Sequence, residues 1–122
     1  KKNPRKLMKW RKAGKNVMYA IDQEYGWDHS VKLQFFNQEA ATIITTRKII
    51  DATNANLLFI NSYYKNKTLV LQIELIDHEG LNSIKLAQKI NDLMEEKILQ
   101  HPAEYLWMHR RFKSTLGKNF YK

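Results

Sequence analysis

The sequence predicts an α/β fold, and three observations carry the prediction. NVMYAI at 16–21 is a short apolar run of strand length. Two runs rich in β-branched and aromatic residues, 56–64 and 68–75, are separated by KNK. Ser83–Gln100 repeats its apolar residues at helical spacing. In chain order the elements read α-β-loop-β-α-β-β-α-α, short strands flanked by helices, on a length of 122 residues that suits one domain or part of one.

Each element has a local reason. Arg5–Ala13 reads as a short helix: Pro4 suits its first turn, Gly14 suits its C-terminal cap, and Leu7, Met8 and Trp10 offer apolar contacts among bases. The run 16–21 is apolar throughout, as expected of a strand buried on both faces. DQEYGWDHS, 22–30, is polar with a central glycine and reads as the loop at that strand's carboxyl end. VKLQFF, 31–36, alternates and suits a half-exposed extended segment. Thr45–Ala55 reads as a helix, with Thr42, Thr45 or Thr46 as candidate N-caps. The runs 56–64 and 68–75 form a hairpin in the economical reading, and HEGLNS is a loop. In Ser83–Gln100, Leu86, Ile90, Leu93, Met94 and Ile98 fall on one helix face. His101-Pro102 ends that helix, because the residue before proline leaves the helical region. A second short helix from Pro102 then carries YLWMHRRFK, with Trp107 and Phe112 as buried anchors.

Bulk properties narrow the function. Apolar content of 43% is enough for a core, and no apolar run is long enough to cross a bilayer. No apolar signal-peptide core follows the basic N-terminus. Cysteine is absent, which excludes disulfides, thiol catalysis and Cys-ligated zinc. The four histidines lack metal-site spacing, and no glycine-rich phosphate loop or G-x-S-x-G elbow occurs. No cofactor is implied. The net charge of +9 is uneven: seven Lys/Arg stand in 1–12 and five in 109–122, while all twelve acids lie between. Such polarity points to an anionic partner, whether a phosphorylated substrate, an anionic membrane, an acidic protein or a nucleic acid.

Two groups of residues can carry chemistry. Asp22 and Glu24 lie at the carboxyl end of the first predicted strand, where α/β folds collect functional groups. A carboxylate there can orient a catalytic imidazole or bind a metal, or it can be a solvated loop acid. His109, Arg110, Arg111 and Lys113 crowd the closing run with Tyr105, Trp107 and Phe112. Arginine suits the fixed-geometry grip of phosphate or carboxylate, and it equally stacks on aromatic rings.

The closing run HPAEYLWMHRRFKS resembles the C-terminal signature of the late acyltransferases of lipid A biosynthesis, the lauroyl and myristoyl transferases of Gram-negative bacteria. Their Pro-Glu-x-Tyr-x-Trp-x-His-Arg-Arg-Phe-Lys run is matched by Pro102 to Lys113, with one extra residue between Pro102 and Glu104. A second block, AGKNVMYAIDQEYGWDHSVKLQFFNQEAAT, is similar to the family's strand, Asp-x-Asp/Glu-x-Gly and Phe-Phe segment. Asp22, Glu24, Gly26, Phe35, Phe36, Ala40, Ala41 and Thr42 hold the matching places.

The resemblance implies the glycerolipid-acyltransferase fold, an αβα sandwich, of which this chain is expected to be the C-terminal half. It also implies transfer of a fatty acyl group from acyl carrier protein to a hydroxyacyl chain of a phosphorylated lipid A precursor. The expected place is the cytoplasmic face of the bacterial inner membrane, with this segment peripheral. The family's general base belongs to an N-terminal His-x4-Asp/Glu motif. No histidine here has an acid five positions on: those places hold Gln34, Ser83, Leu106 and Ser114. The expectation is therefore a chain inactive alone, with Asp22 and Glu24 as supporting acids. Arg110, Arg111, His109 and Lys113 are expected to bind the acceptor, or the two arginines to brace the loop that bears Asp22. The basic surface then meets acyl carrier protein, the acceptor's phosphates and anionic lipid, with no nucleic acid as partner. The competing readings are a basic nucleic-acid-binding module, which leaves the Asp22 block unexplained, and a non-catalytic remnant that only binds lipid.

Overall fold

The computed structural model describes residues 4–121, apart from the side chains at 4, 5, 7, 29 and 118. The contact expected of Leu7 and the side chain of His29 thus lie outside the described residues. The protein is a mixed α/β structure with three α-helices and two antiparallel hairpins among the described residues. Helix α1 is Pro4–Lys12, and its end is closed by Ala13 N to Lys9 O at 3.1 Å and Gly14 N to Arg11 O at 2.9 Å. Strands β1 (Ser30–Phe35) and β2 (Gln38–Ile43) pair with Ser30 opposite Ile43 and Phe35 opposite Gln38. Phe36 and Asn37 turn the chain, both at positive φ (52° and 57°), the conformation that matches a two-residue hairpin to strand twist.

Helix α2 (Thr45–Thr53) has no side-chain N-cap, although three threonines are near. It ends where Asn54 takes a left-handed conformation and donates N–H to Ile50 O at 2.7 Å. Strands β3 (Leu58–Lys65) and β4 (Thr68–Leu75) form the predicted hairpin, turned by Asn66 and Lys67. Helix α3 (Ser83–Gln100) starts where Asn82 Oδ1 accepts from Lys85 N at 2.9 Å.

The core forms where α3 lays Leu86, Ile90, Met94 and Ile98 against Phe35 and Ala40 of the first hairpin, Ile50 of α2, and Ile76. The second hairpin joins the far end of α3. Tyr63 stacks on His101 at 3.7 Å between ring centroids, and Glu74 accepts from Lys97 at 2.5 Å. Its other face stays open: Leu58, Ile60, Tyr64, Leu69, Leu71, Ile73 and Leu75 are 48–69% exposed.

Four expectations are corrected. Residues 16–21 are not a strand. Apolar character supplies a buried strand's side chains, but a strand exists only when a neighbour takes its backbone hydrogen bonds. The extended segment 31–36 does not lead directly to a helix: Gln38–Ile43 is a second strand. Its buried residues Ala40, Ala41, Thr42 and Ile43 run consecutively, so no alternation marked it. The closing run is not a helix. After a 3-10 turn at Pro102–Glu104 it proceeds by tight turns, such as Trp107 N to Tyr105 O at 2.9 Å and Arg111 N to His109 O at 2.8 Å. Trp107 is 56% exposed and so is no buried anchor, its indole N–H donating to Pro102 O at 2.6 Å. Phe112 does pack on the core, with its ring 6.1 Å from that of Phe35.

Candidate functional site

The loop 22–27 and the run 105–114 are far apart in sequence and meet in space. Glu24 is the hub. Its carboxylate is buried, and Oε1 accepts from Gly26 N and from Ser114 Oγ, both at 2.6 Å. Lys113 Nζ lies 3.0 Å from Oε2 and donates to Glu24 O at 3.2 Å. Glu24 N donates to His109 Nε2 at 3.0 Å, which fixes that ring nitrogen as the acceptor. Trp27 Nε1 adds a contact to Ser114 O at 3.3 Å. Gly26 has φ 81° and ψ −178°, a region open to glycine alone, and no atom stands where a Cβ would go. Conformation, not space, demands glycine there.

Burial alone would raise the Glu24 pKa. Hydrogen bonds from Ser114, Lys113 and Gly26, with the Lys113 charge, outweigh it and hold the carboxyl below the usual range. A depressed folded-state value stabilises the fold above the unfolded pKa of about 4.3 and is lost as pH falls through the folded value. Glu24→Gln should therefore lower the urea midpoint at pH 7, and the gap from wild type should narrow as pH drops below about 4. A gap that stays constant down to pH 2 would refute the charged clamp.

Arg111 lies beneath this loop, only 2% exposed. Its guanidinium donates to Ala41 O at 2.6 Å, to Thr42 Oγ1 at 2.9 Å and to Asn91 Oδ1 at 3.5 Å, and it stands over the Phe35 ring at 5.1 Å. Asn91 completes the network from α3, donating to Gln34 O at 2.8 Å and to Thr42 Oγ1 at 3.2 Å. Burial lowers the Arg111 pKa, opposed by Tyr105, Asp22 and Glu24. Asp22 is half-buried at the head of the loop. Its charge reaches Tyr105, whose hydroxyl is buried without a hydrogen-bond partner among the described residues and is pushed up to about 12, chiefly by burial.

Asp22 and Tyr105 share a cleft of about 1010 Å³, walled by residues 16–22 on one side and 56–62 on the other. Ile76, Ile90, Met94 and Ile98 also line it, as do Lys97, His101 and Glu104. This arrangement can hold a carboxylate at the head of an apolar cleft, in a fixed loop, beside a basic surface.

Of the sequence-predicted residues, Glu24, His109, Arg111 and Lys113 come together, with Asp22 beside them. Arg110 does not join: it is exposed and makes no ion pair among those described. Sequence reasoning missed Ser114 and Asn91, and gave Thr42 only a capping role. An Asn between Ile90 and Met94 on the apolar face of α3 was the available signal, since a buried amide needs polar partners. No group of three His, Asp or Glu side chains capable of holding a metal occurs among the described residues.

Comparison with known proteins bears on what this site serves. Residues 1–114 match the family described as bacterial lipid A biosynthesis acyltransferase. The chain is 31% identical over 108 residues to lipid A biosynthesis palmitoleoyltransferase of Escherichia coli K12, covering 84% of this chain and 35% of that protein. It is equally similar to a lipid A biosynthesis acyltransferase of Shigella flexneri. It is 29% identical over 119 residues to lipid A biosynthesis lauroyltransferase of Escherichia coli K12, covering 93% of this chain and 39% of that protein. The chain therefore spans somewhat over a third of the length of these relatives.

Proposed function

Because the chain belongs to the bacterial lipid A biosynthesis acyltransferase family, we propose that it forms the acceptor-side portion of an enzyme that moves a fatty acyl group from acyl carrier protein to a hydroxyacyl chain of a phosphorylated lipid A precursor. The observation that carries this reading is the clamp between two distant blocks. The loop with Asp22 and Glu24 is held by His109, Lys113 and Ser114 across 85 to 90 residues, and Arg111 braces the sheet beneath.

In this reading the acceptor hydroxyl gives its proton to an imidazole outside residues 1–122 and attacks the acyl thioester; the ester C–O bond forms, the C–S bond breaks, and the imidazolium returns the proton to the leaving carrier-protein thiolate. Asp22 orients that imidazole and stabilises its charged form, a task suited to a carboxylate fixed at one position. Glu24 shapes the loop and touches no substrate. Arg111 acts as a brace. Arg110, with the exposed part of Lys113, offers positive charge to the acceptor phosphates or to the acidic carrier protein. The proposed setting is the cytoplasmic face of the inner membrane, where each base near anionic lipid contributes about 1 kcal/mol. No described helix is long and apolar enough to cross a membrane. The proposed parent fold is the αβα sandwich of the glycerolipid acyltransferases.

The test is acyl transfer by the full-length protein that carries this chain. With labelled acyl-acyl carrier protein and a bis-phosphorylated lipid A precursor, the product should gain one acyl group. The same assay on residues 1–122 alone should show none. No transfer by the full-length protein, or turnover by residues 1–122 alone, would contradict the assignment of roles.

A further inference from the structure

The cleft at the head of the site has walls of a particular kind. One includes every residue from Asn16 to Asp22, and the other every residue from Leu58 to Ser62. Successive side chains of an extended chain point to opposite faces, so a surface met by all of them runs along the edge of the chain. Among the described residues strand β3 pairs with β4 alone, which leaves its other edge without a partner there. On the facing wall, residues 16–22 make no backbone–backbone hydrogen bond among the described residues. Two rows of unpaired N–H and C=O groups thus border one space of about 1010 Å³, beside the apolar side chains of Ile90, Met94 and Ile98.

An acyl chain could cover the isoleucines and the methionine, but it has nothing to offer either row of amides. Buried backbone groups demand partners, and a free strand edge is a template for another strand. We propose that the cleft is a strand slot. An extended segment of about five residues, apolar on the side facing Ile90 and Met94, adds to the free edge of β3 and pairs on its other side with residues 16–21. The occupant is a segment of the same protein, from the part of the relatives' length that residues 1–122 do not span (the chain covers 35% and 39% of two of them). Once filled, the slot makes 16–21 a strand and joins β3–β4 into one sheet with Asp22 at its rim. The inference rests on family membership and not on acyl transfer.

Photo-crosslinking of the full-length protein tests it. Ser62 lines the slot and is exposed, and residues 1–122 contain no cysteine. Ser62→Cys, labelled with benzophenone maleimide and compared with the unsubstituted protein, should crosslink within one polypeptide to a segment outside residues 1–122. A crosslink to residues 16–22, a crosslink to a second molecule, or none would overturn the assigned occupant. Hydrogen exchange on the unlabelled full-length protein gives an independent reading. Alternate amides of 17–21, which have no backbone partner among the described residues, should exchange on the order of 100-fold more slowly than unprotected loop amides. Loop-like exchange throughout 17–21 would overturn the slot, whatever the acyl-transfer assay shows.

Discussion

Asp22→Ala in the full-length protein should lower kcat by about 10²–10⁴, the range of acid–base assistance, while the urea midpoint stays near wild type. The expectation follows from where the carboxylate stands. Asp22 is half-buried at the head of the cleft and makes no side-chain hydrogen bond among those described, so little of the fold depends on it. Glu24 has the opposite profile, with its carboxylate spent on Gly26, Ser114 and Lys113. Glu24→Ala should lower stability and activity together, because the loop loses its shape. Measuring kcat and unfolding for both variants separates a group that acts from one that shapes. Wild-type turnover in Asp22→Ala would leave Asp22 a loop acid without a catalytic role.

Arg111→Ala should destabilise the fold by about 3–5 kcal/mol, from buried acceptors left without a donor at about 1–3 kcal/mol each and the cavity left by a large side chain. The carbonyl of Ala41 and the side chains of Thr42 and Asn91 would all lose a donor in a dry site, and the Phe35 ring would face a void. Arg111→Lys should recover little, since an ammonium cannot reproduce the planar fork. Arg110→Ala, on the exposed neighbour, should change stability by no more than about 0.5 kcal/mol and raise KM for the phosphorylated acceptor. Equilibrium denaturation of the three variants checks the contrast. An Arg111→Ala protein within 1 kcal/mol of wild type would sink the brace.

The sequence made the helices and the second hairpin legible because each carries its own signal. Ser83–Gln100 has one apolar face and an Asn before it, and 56–75 has two β-rich runs around a polar turn. The first hairpin was hidden for a physical reason. Phe36-Asn37 is not a glycine turn, and the strand after it buries four consecutive residues. The segment 16–21 misled in the opposite way: its side chains announce a strand, but its backbone makes no backbone–backbone hydrogen bond among the described residues. In the candidate site, the family resemblance singled out Asp22, Glu24, His109, Arg111 and Lys113 as candidates. Spacing could not show that Arg111 points inward and Arg110 outward. That division is set by the turns of residues 105–113, which replace the helix that periodicity suggested.

The clamp also has a clock. Glu24 and Ser114 are 90 residues apart in the chain, and a ribosome adds about 5–20 residues per second. Roughly five to twenty seconds therefore pass between the synthesis of the loop and that of the hydroxyl that closes it. During that interval α1, α2 and both hairpins can form from nearby residues, because local contacts need no long closure. The loop bearing Asp22 cannot settle, since His109, Lys113 and Ser114 do not yet exist. Order at the site thus comes after α1, α2 and both hairpins, and a nascent chain that has not reached residue 114 holds its carboxylate on an unfastened loop.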